Sequence, residues 1–317
     1  MLRGGIDLGG TKIQAAVVGP RGAVRGEARV PTPTTGGPAD VAREMAAALS
    51  ESAAQAGVAP SELLGVGVGA PGDADPDGVV SAASNLPGWS GAYPLAKELS
   101  ELLGTSVRVG GDVQVATEAE FRLGAGKPYR SILGVFWGTG VGGGMILDGK
   151  PWTGRGNAGE IGHTVIERGG ARCPCGRRGC MEAYAGRSAM QTEAEHRHKK
   201  GEKTDLFKIM RKRGNDRLKS GDWERALEHG DKLAAELIDR AVKALGTGVA
   251  SAVNLVDVEG VILGGGMGIR FGERYMGDLR KEMGKHLFVD DRPPAVEVAA
   301  LGDLGGAIGA SLLAGSR

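Results

Sequence analysis

The stretch NAGEIGHTVIERGGARCPCGRRGCMEAYAG, residues 157–186, gathers the chain's three cysteines, Cys173, Cys175 and Cys180, one of its five histidines, His163, and two carboxylates, Glu160 and Glu182. Three thiolates and an imidazole are a complete ligand set for zinc, which takes four Cys or His ligands when its role is structural. The Cys-x-Cys pair is tighter than the common finger spacing, and Gly170, Gly176 and Gly179 supply turns for a short loop around an ion. Three cysteines cannot all pair within one chain, and nothing marks the protein as secreted, so a disulfide framework does not fit. A redox pair would leave Cys180 and His163 unexplained, and cysteines with no special role are the other reading; zinc is favoured over both. A closed four-ligand site has no open position for water, so the expected role is structural, holding Glu160 and Glu182 in place.

A second kind of chemistry lies at three glycine tips that follow apolar runs. These are Gly9-Gly10-Thr11-Lys12 after Leu8, Gly138-Thr139-Gly140 after Trp137, and Gly264-Gly265-Gly266 after Leu263. Glycines let backbone N–H groups approach phosphate oxygens with no Cβ in the way. One such tip is weak evidence, and three in this order are stronger. Lys12 adds a point charge and Thr139 a hydroxyl. Asp7 ends a buried strand, where a carboxylate needs a partner; hydrated Mg²⁺ beside phosphates would be one, a capped turn the other. Asp112 falls after a strand at a helix start. It reads equally as a helix cap and as a general base that takes the proton of an attacking hydroxyl.

The elements that must position these groups follow from periodicity and turn chemistry. Residues 5–8 and 13–18 form a hairpin with a glycine tip, and a third strand runs over 23–30. A helix over 40–55 is capped by Asp40 and ended by Gly57. A buried strand over 63–68, a helix over 95–103, a strand over 107–109 and a helix over 113–123 follow. At Ser131 the pattern restarts, with strands over 132–137 and 145–147 around the second tip. We read two α/β halves, each opening on a hairpin. Residues 195–220 hold ten Lys/Arg against four Asp/Glu. A nucleic-acid patch is conceivable there, but a solvated helical insertion with Leu206, Phe207, Ile209 and Met210 inward is the favoured reading. One long helix over 222–255, bent near Gly246, a strand over 261–263 and a small-residue helix over 305–314 complete the chain.

These motifs resemble the ROK (repressor, open reading frame, kinase) family of sugar kinases. The carriers are Asp7-Leu8-Gly9-Gly10-Thr11-Lys12, Gly-Val-Gly-Ala-Pro-Gly at 67–72, Asn85-Leu86-Pro87-Gly88-Trp89 and the glycine turn over 138–144. The most specific are Gly159-Glu160-Ile161-Gly162-His163 and the run from Cys173 to Glu182. The matches cover essentially the whole chain. The resemblance implies an actin-like/hexokinase-like (ribonuclease H-like) α/β fold with a duplicated two-domain plan and a cleft that closes on sugar. Residues 1–118 with about 300–317 would form the smaller domain. Residues 119–299 would form the larger, carrying the zinc loop and the oligomer contacts of a homodimer or homotetramer. It implies Mg²⁺ and ATP as donor, a hexose phosphorylated at O6 as in glucokinase, and a structural Zn²⁺. By motif, Asp112 would be the base, Asn85, Glu160, His163 and Glu182 would bind sugar with it, and His163 would also join the three cysteines on zinc. The three glycine tips with Asp7 and Lys12 would hold ATP. One departure matters: the family usually carries Asn-Asp where this chain has Gly111-Asp112, which puts glucose itself in question. Another hexose or an N-acetylhexosamine, and polyphosphate as donor, are the runners-up.

Composition limits the other classes. Hydrophobic residues are 41% and charged residues 24% of 317, ordinary for a globular protein, and a net charge of +1 gives no global field for nucleic acid or an anionic membrane. Glycine, at 57 residues, clusters in loops without a period, which fits backbone approach to ligands and not a fibre. With no apolar leader and a strand pattern starting near residue 4, we expect a cytoplasmic protein. A repressor of this family would carry a helix-turn-helix ahead of the motif that begins here at Asp7, so a repressor is not expected. A non-catalytic sugar sensor is opposed by Asp112 and the intact first tip.

Overall fold

The structure is a computed structural model and describes residues 1–83 and 86–314. Asn85 lies outside the described residues.

The chain opens on β1 (Arg3–Leu8), β2 (Lys12–Val18) and β3 (Val24–Pro31), an antiparallel meander. Helix α1 (Pro38–Gln55) follows. Its N-cap is Gly37, not Asp40. Pro38 takes the first helical position, which needs no N–H donor, and Asp40 reaches back from inside the first turn to accept the Gly37 N–H at 2.9 Å. Strand β4 runs over Val66–Ala70 rather than 63–68, because a 3₁₀ turn over Pro60–Glu62 delays its start. A small hairpin, β5 (Asp73–Ala74) and β6 (Val80–Ser81), precedes α2 (Leu95–Leu103), β7 (Val107–Gly111) and α3 (Asp112–Leu123).

The pattern then restarts with β8 (Ile132–Trp137), β9 (Val141–Leu147) and the short β10 (Lys150–Pro151). Helices α4 (Glu182–Ala185), α5 (Arg187–Lys199), α6 (Leu206–Lys212), α7 (Ser220–Glu228) and α8 (Lys232–Val256) follow. The expected single helix over 222–255 is therefore two. Gly230 adopts φ +73°, and Asp231 caps the new helix by accepting the Ala234 N–H at 3.0 Å. Strand β11 (Gly260–Gly264), α9 (Gly265–Gly284), β12 (Ala295–Val298) and α10 (Gly305–Leu313) complete the chain. Within the basic segment, Leu206, Phe207 and Ile209 are buried and Met210 is half-buried. Among the described residues no helix is long and apolar enough to cross a membrane.

Two five-stranded sheets result, ordered β3-β2-β1-β4-β7 and β10-β9-β8-β11-β12. Counted within each sheet, both orders are third, second, first, fourth, fifth. In both, the first, fourth and fifth strands run parallel. The chain divides into two compact units. Unit one is Met1–Arg130, Gly144–Ala158 and Ala300–Arg317; unit two is Ser131–Gly143 and Gly159–Ala299.

In unit one, α1 and α2 cover one sheet face and α3 and α10 the other. Helix α10 lies so close to the sheet that a Cβ on Gly5 would come within 1.9 Å of the Ala307 carbonyl oxygen, and one on Gly67 within 1.7 Å of the Ala310 oxygen. Those strand glycines, together with the small residues of α10, permit the contact. The returning segment is fixed by Glu120, a buried carboxylate of α3 that accepts the N–H groups of Ala300 (3.0 Å), Leu301 (2.9 Å) and Ala125 (3.0 Å). In unit two, α8 and α9 pack together, and α9 lies on β8, β11 and β12. Buried Trp137 and Phe271 pack with tilted rings at a 6.1 Å centroid distance, and the Trp137 indole N–H is satisfied by the Ala185 carbonyl at 2.6 Å.

Candidate functional site

In unit one the first glycine tip is a tight turn in which the Gly9 N–H reaches the Lys12 carbonyl at 3.0 Å. Thr32 steadies it from β3's end: its hydroxyl donates to the Gly9 carbonyl at 2.6 Å and its N–H to Thr11. Asp7, in register with Gln14, is one pair short of the ladder's end at Leu8 and Ile13, just before this turn. Its carboxyl lies against Gly306 at the start of α10, where a Cβ would sit only 2.6 Å from the carboxyl carbon. Burial pushes the Asp7 carboxyl above its ordinary range, Lys12 opposes this, and Asp303 adds to it. Lys12 lies 3.8 Å from Asp303, and burial lowers its pKa. A half-buried carboxyl raised in this way is a site that a cation would settle.

Asp112 is the first residue of α3, directly after β7. It is not the N-cap: that is Gly111, at φ −62° and ψ 132°. Oδ1 of Asp112 accepts the Val113 N–H at 2.8 Å. Gly111 is in extended backbone open to any residue, and among the described residues a Cβ there would meet no heavy atom within 4 Å. Gly69 of β4 passes beside this corner, its Cβ position 3.2 Å from the Asp112 Cα.

Unit two brings the other two glycine tips together. Gly265, at φ +79°, lies against the end of β8, where a Cβ would meet the Trp137 carbonyl oxygen at 2.5 Å. The Gly264–Gly266 turn, which opens the 20-residue helix α9, thus abuts the residue preceding Gly138. Gly138 and Gly266 are open: among the described residues a Cβ on either would meet nothing within 4 Å. Gly140 is closed, because a Cβ there would collide with the Glu182 carboxylate at 2.2 Å. Glu182 Oε2 accepts the Val141 N–H at 2.9 Å, and its Oε1 lies 3.8 Å from the Cys173 sulfur. Glu182 therefore links the second phosphate-type turn to the cysteine loop.

That loop brings His163, Cys173, Cys175 and Cys180 together, with their ligand atoms all within 4.8 Å of one another. His163 Nδ1 to Cys173 Sγ and Cys175 Sγ to Cys180 Sγ are each 3.7 Å. A disulfide, at about 2.05 Å, is excluded for that pair. A tetrahedron with Zn–S arms of about 2.3 Å has edges of roughly 3.8 Å, so the four groups fit zinc. Burial pushes the Cys173 thiol up to about 12 and raises Cys180, while the Arg177 N–H beside Cys175 brings its thiol down to about 7. The loop is built around Gly179, at φ +81°, where a Cβ would meet the Glu167 carbonyl oxygen at 1.8 Å. The Tyr184 hydroxyl ties its two arms, donating to Glu167 Oε2 at 2.5 Å and accepting the Ala171 N–H at 2.7 Å. With Nδ1 in the cluster, His163 Nε2 faces Glu160, 3.8 Å from Oε2.

One group at this site has no local signal in the sequence. Arg187, first residue of α5, donates from Nη2 to the Thr139 hydroxyl at 2.8 Å. The N–H groups of Arg187 and Ser188 bind the carbonyls of Gly138 and Thr139 at 3.1 and 3.0 Å.

A family model described as ROK family matches residues 3–317. The chain is 33% identical to a glucokinase of Thermotoga maritima over 281 residues, 88% of this chain and 86% of that protein. It is 31% identical to an N-acetylgalactosamine kinase of a Shewanella species, over 98% of this chain and 95% of the other. It is similar, with a TM-score of 0.84 and 31% identity over 99% of each chain, to the structure of a ROK family glucokinase from Streptomyces griseus in complex with glucose and AMPPNP.

Proposed function

The chain belongs to the ROK family and has the actin-like/hexokinase-like α/β fold, and from that premise we propose that it is an ATP-dependent sugar kinase acting on a hexose hydroxyl, O6 in a glucose-like substrate. The observation that carries this reading is the abutting pair of glycine turns in unit two, open at Gly138 and Gly266 beside the Thr139 hydroxyl, in a chain that matches sugar kinases over nearly its full length.

In this reading Asp112 accepts the proton of the sugar hydroxyl as that oxygen attacks the γ-phosphorus. The bond from phosphorus to the β,γ-bridging oxygen breaks and ADP leaves. A carboxylate can take that proton once substrate is within hydrogen-bond reach, and the position of Asp112 at a helix start after a strand end supports this role. Glu160, His163 and Glu182 are assigned to sugar hydroxyls, His163 through Nε2. Gly9, Gly10, Thr11, Lys12, Gly138, Thr139, Gly140 and Gly264–Gly266 are assigned to ATP. Asp7 and the phosphates would share Mg²⁺, which supplies neutralisation of the charge that develops on the transferred group. Zinc on His163, Cys173, Cys175 and Cys180 would supply cross-linking of the loop that carries Glu160 and Glu182. Three free thiols suit a reducing, cytoplasmic setting. We assign homodimer or homotetramer contacts to the region 119–299.

The open backbone at Gly111 bears on which sugar is used. It leaves space where a side chain could reach a hydroxyl, so we propose that glucose is used less efficiently than a hexose with a larger substituent, such as an N-acetyl group. The test is a coupled ADP-release assay with ATP over a panel of hexoses and N-acetylhexosamines. Sugar-dependent ADP release with at least one member is expected; none with any would overturn the reading.

A further inference from the structure

The basic segment and the second glycine turn meet at Arg187. This guanidinium spends one of its five N–H donors on the Thr139 hydroxyl. The acidic group whose charge it feels, Asp222, is fully buried and already held by Asn215 (3.0 and 3.2 Å), the Lys219 N–H (2.8 Å) and Arg213 (3.3 Å). Burial depresses the Arg187 guanidinium below its ordinary pKa, and the positive charge of Arg217 depresses it further. The loop that bears Arg217 is pinned to α5, since the Leu218 N–H donates to Gln191 at 2.9 Å. Arg187 thus lies on a turn whose Thr139 is exposed and whose Gly138 face is open among the described residues, with the charge of Arg217 near enough to Arg187 to be felt. A partly desolvated guanidinium with donors to spare, next to backbone that an anion can approach, is a phosphate-binding arrangement.

We infer that Arg187, with Arg217 adding to the same positive field, binds the phosphoanhydride chain of the phosphoryl donor at the Gly138–Gly140 turn. This rests on reading that turn as the donor's phosphate site, so the test separates the two. Binding of inorganic tripolyphosphate to the protein as purified is followed by calorimetry, and initial rates are measured with ATP and a sugar that the wild type accepts. A charge-assisted hydrogen bond corresponds to roughly a ten- to hundredfold effect. Arg187→Gln should weaken tripolyphosphate binding and raise KM for ATP by that factor, with KM for sugar within about twofold. Arg187→Lys, a point charge without the planar fork, should fall between, and Arg217→Gln should show a smaller loss.

Unchanged tripolyphosphate binding and unchanged KM for ATP in folded Arg187→Gln would overturn the inference. So would equal rises in KM for ATP and for sugar, the mark of a residue that only shapes the turn. Should Arg187→Gln not fold, Arg187→Lys and Arg217→Gln decide by the same criteria. Loss of tripolyphosphate binding in a protein that phosphorylates no sugar would support the anion site and remove the kinase reading instead. If the site stands, turnover with tripolyphosphate marks an inorganic chain as a donor, and competition with ATP without turnover marks the nucleotide as the only donor of the two.

Discussion

The two sheets share one strand order, yet their hairpins obtain their charges differently. The first tip carries its own. Asp7 and Lys12 lie within the hairpin, and Thr32, at the end of the next strand, steadies the turn. The second tip carries only a threonine hydroxyl and borrows the rest. Glu182, 41 residues beyond Val141, closes one side, and Arg187, 48 residues beyond Thr139, holds the other. The segment that brings both is the cysteine loop and the helices after it. The scaffold occurs twice with one strand order, but the second copy depends for its charged groups on a segment distant in sequence.

That dependence can be broken from several sides. The largest expected effect lies in unit one. Asp112→Asn preserves the shape of the side chain and removes proton acceptance, so turnover should fall by roughly 10²–10⁴-fold while sugar binding and melting temperature hold. Retention of more than about a third of wild-type turnover would make Asp112 a helix-start residue and nothing more.

Next is the metal. About one zinc per chain is expected by metal analysis of protein purified without added zinc. Cys175→Ala should lower both zinc content and stability, and chelation should inactivate slowly, through loss of loop order and with it the hold of Glu182 on the second turn. Well-folded wild type without zinc would contradict this.

A pair of glycine substitutions sharpens the contrast. Gly179→Ala sets a Cβ 1.8 Å from a carbonyl oxygen at positive φ and should release zinc. Gly5→Ala sets one 1.9 Å from the Ala307 oxygen and should destabilise the α10 contact of unit one, by about 3 kcal/mol, with zinc retained. Gly176→Ala, also at positive φ but in open space, should cost only about 1 kcal/mol. Zinc loss in Gly5→Ala equal to that in Gly179→Ala would show that the two units do not hold their structures separately.

The smallest effect concerns specificity. Gly111 has extended backbone and open space at its Cβ, so Gly111→Asn should fold normally and add a contact of about 1–3 kcal/mol for glucose. That is a rise of roughly ten- to a hundredfold in kcat/KM. High wild-type efficiency on glucose, unmoved by the substitution, would assign that contact to another residue.

What the sequence revealed follows the same division. Local features were legible: the first hairpin, the helix start at Asp112, the small-residue helix and the three cysteines with His163. The second hairpin was legible only in part, since β9 begins at Val141 and not at 145, with three of the supposed turn glycines inside the strand. Features set by distant packing were not. Gly230 and Gly246 look alike within an otherwise helical pattern. Gly230 takes φ +73° and breaks the helix, whereas Gly246 stays helical and clears room for Glu282 of α9, whose Cβ a side chain there would meet at 2.7 Å. Asp40 and Pro38 compete for the start of α1, and the proline's missing N–H decides it. Arg187 has no motif because its partner is reached only through folding.

The most direct test of the central claim follows the phosphorus itself. Protein, Mg²⁺, ATP and a sugar accepted in the ADP-release assay are incubated and observed by ³¹P NMR. The account predicts that a phosphomonoester resonance coupled to the sugar's CH₂ protons grows as the γ-phosphate resonance of ATP declines, and that it is absent with Asp112→Asn. Inorganic phosphate in place of the sugar ester, or the same ester formed at a similar rate by Asp112→Asn, would contradict it.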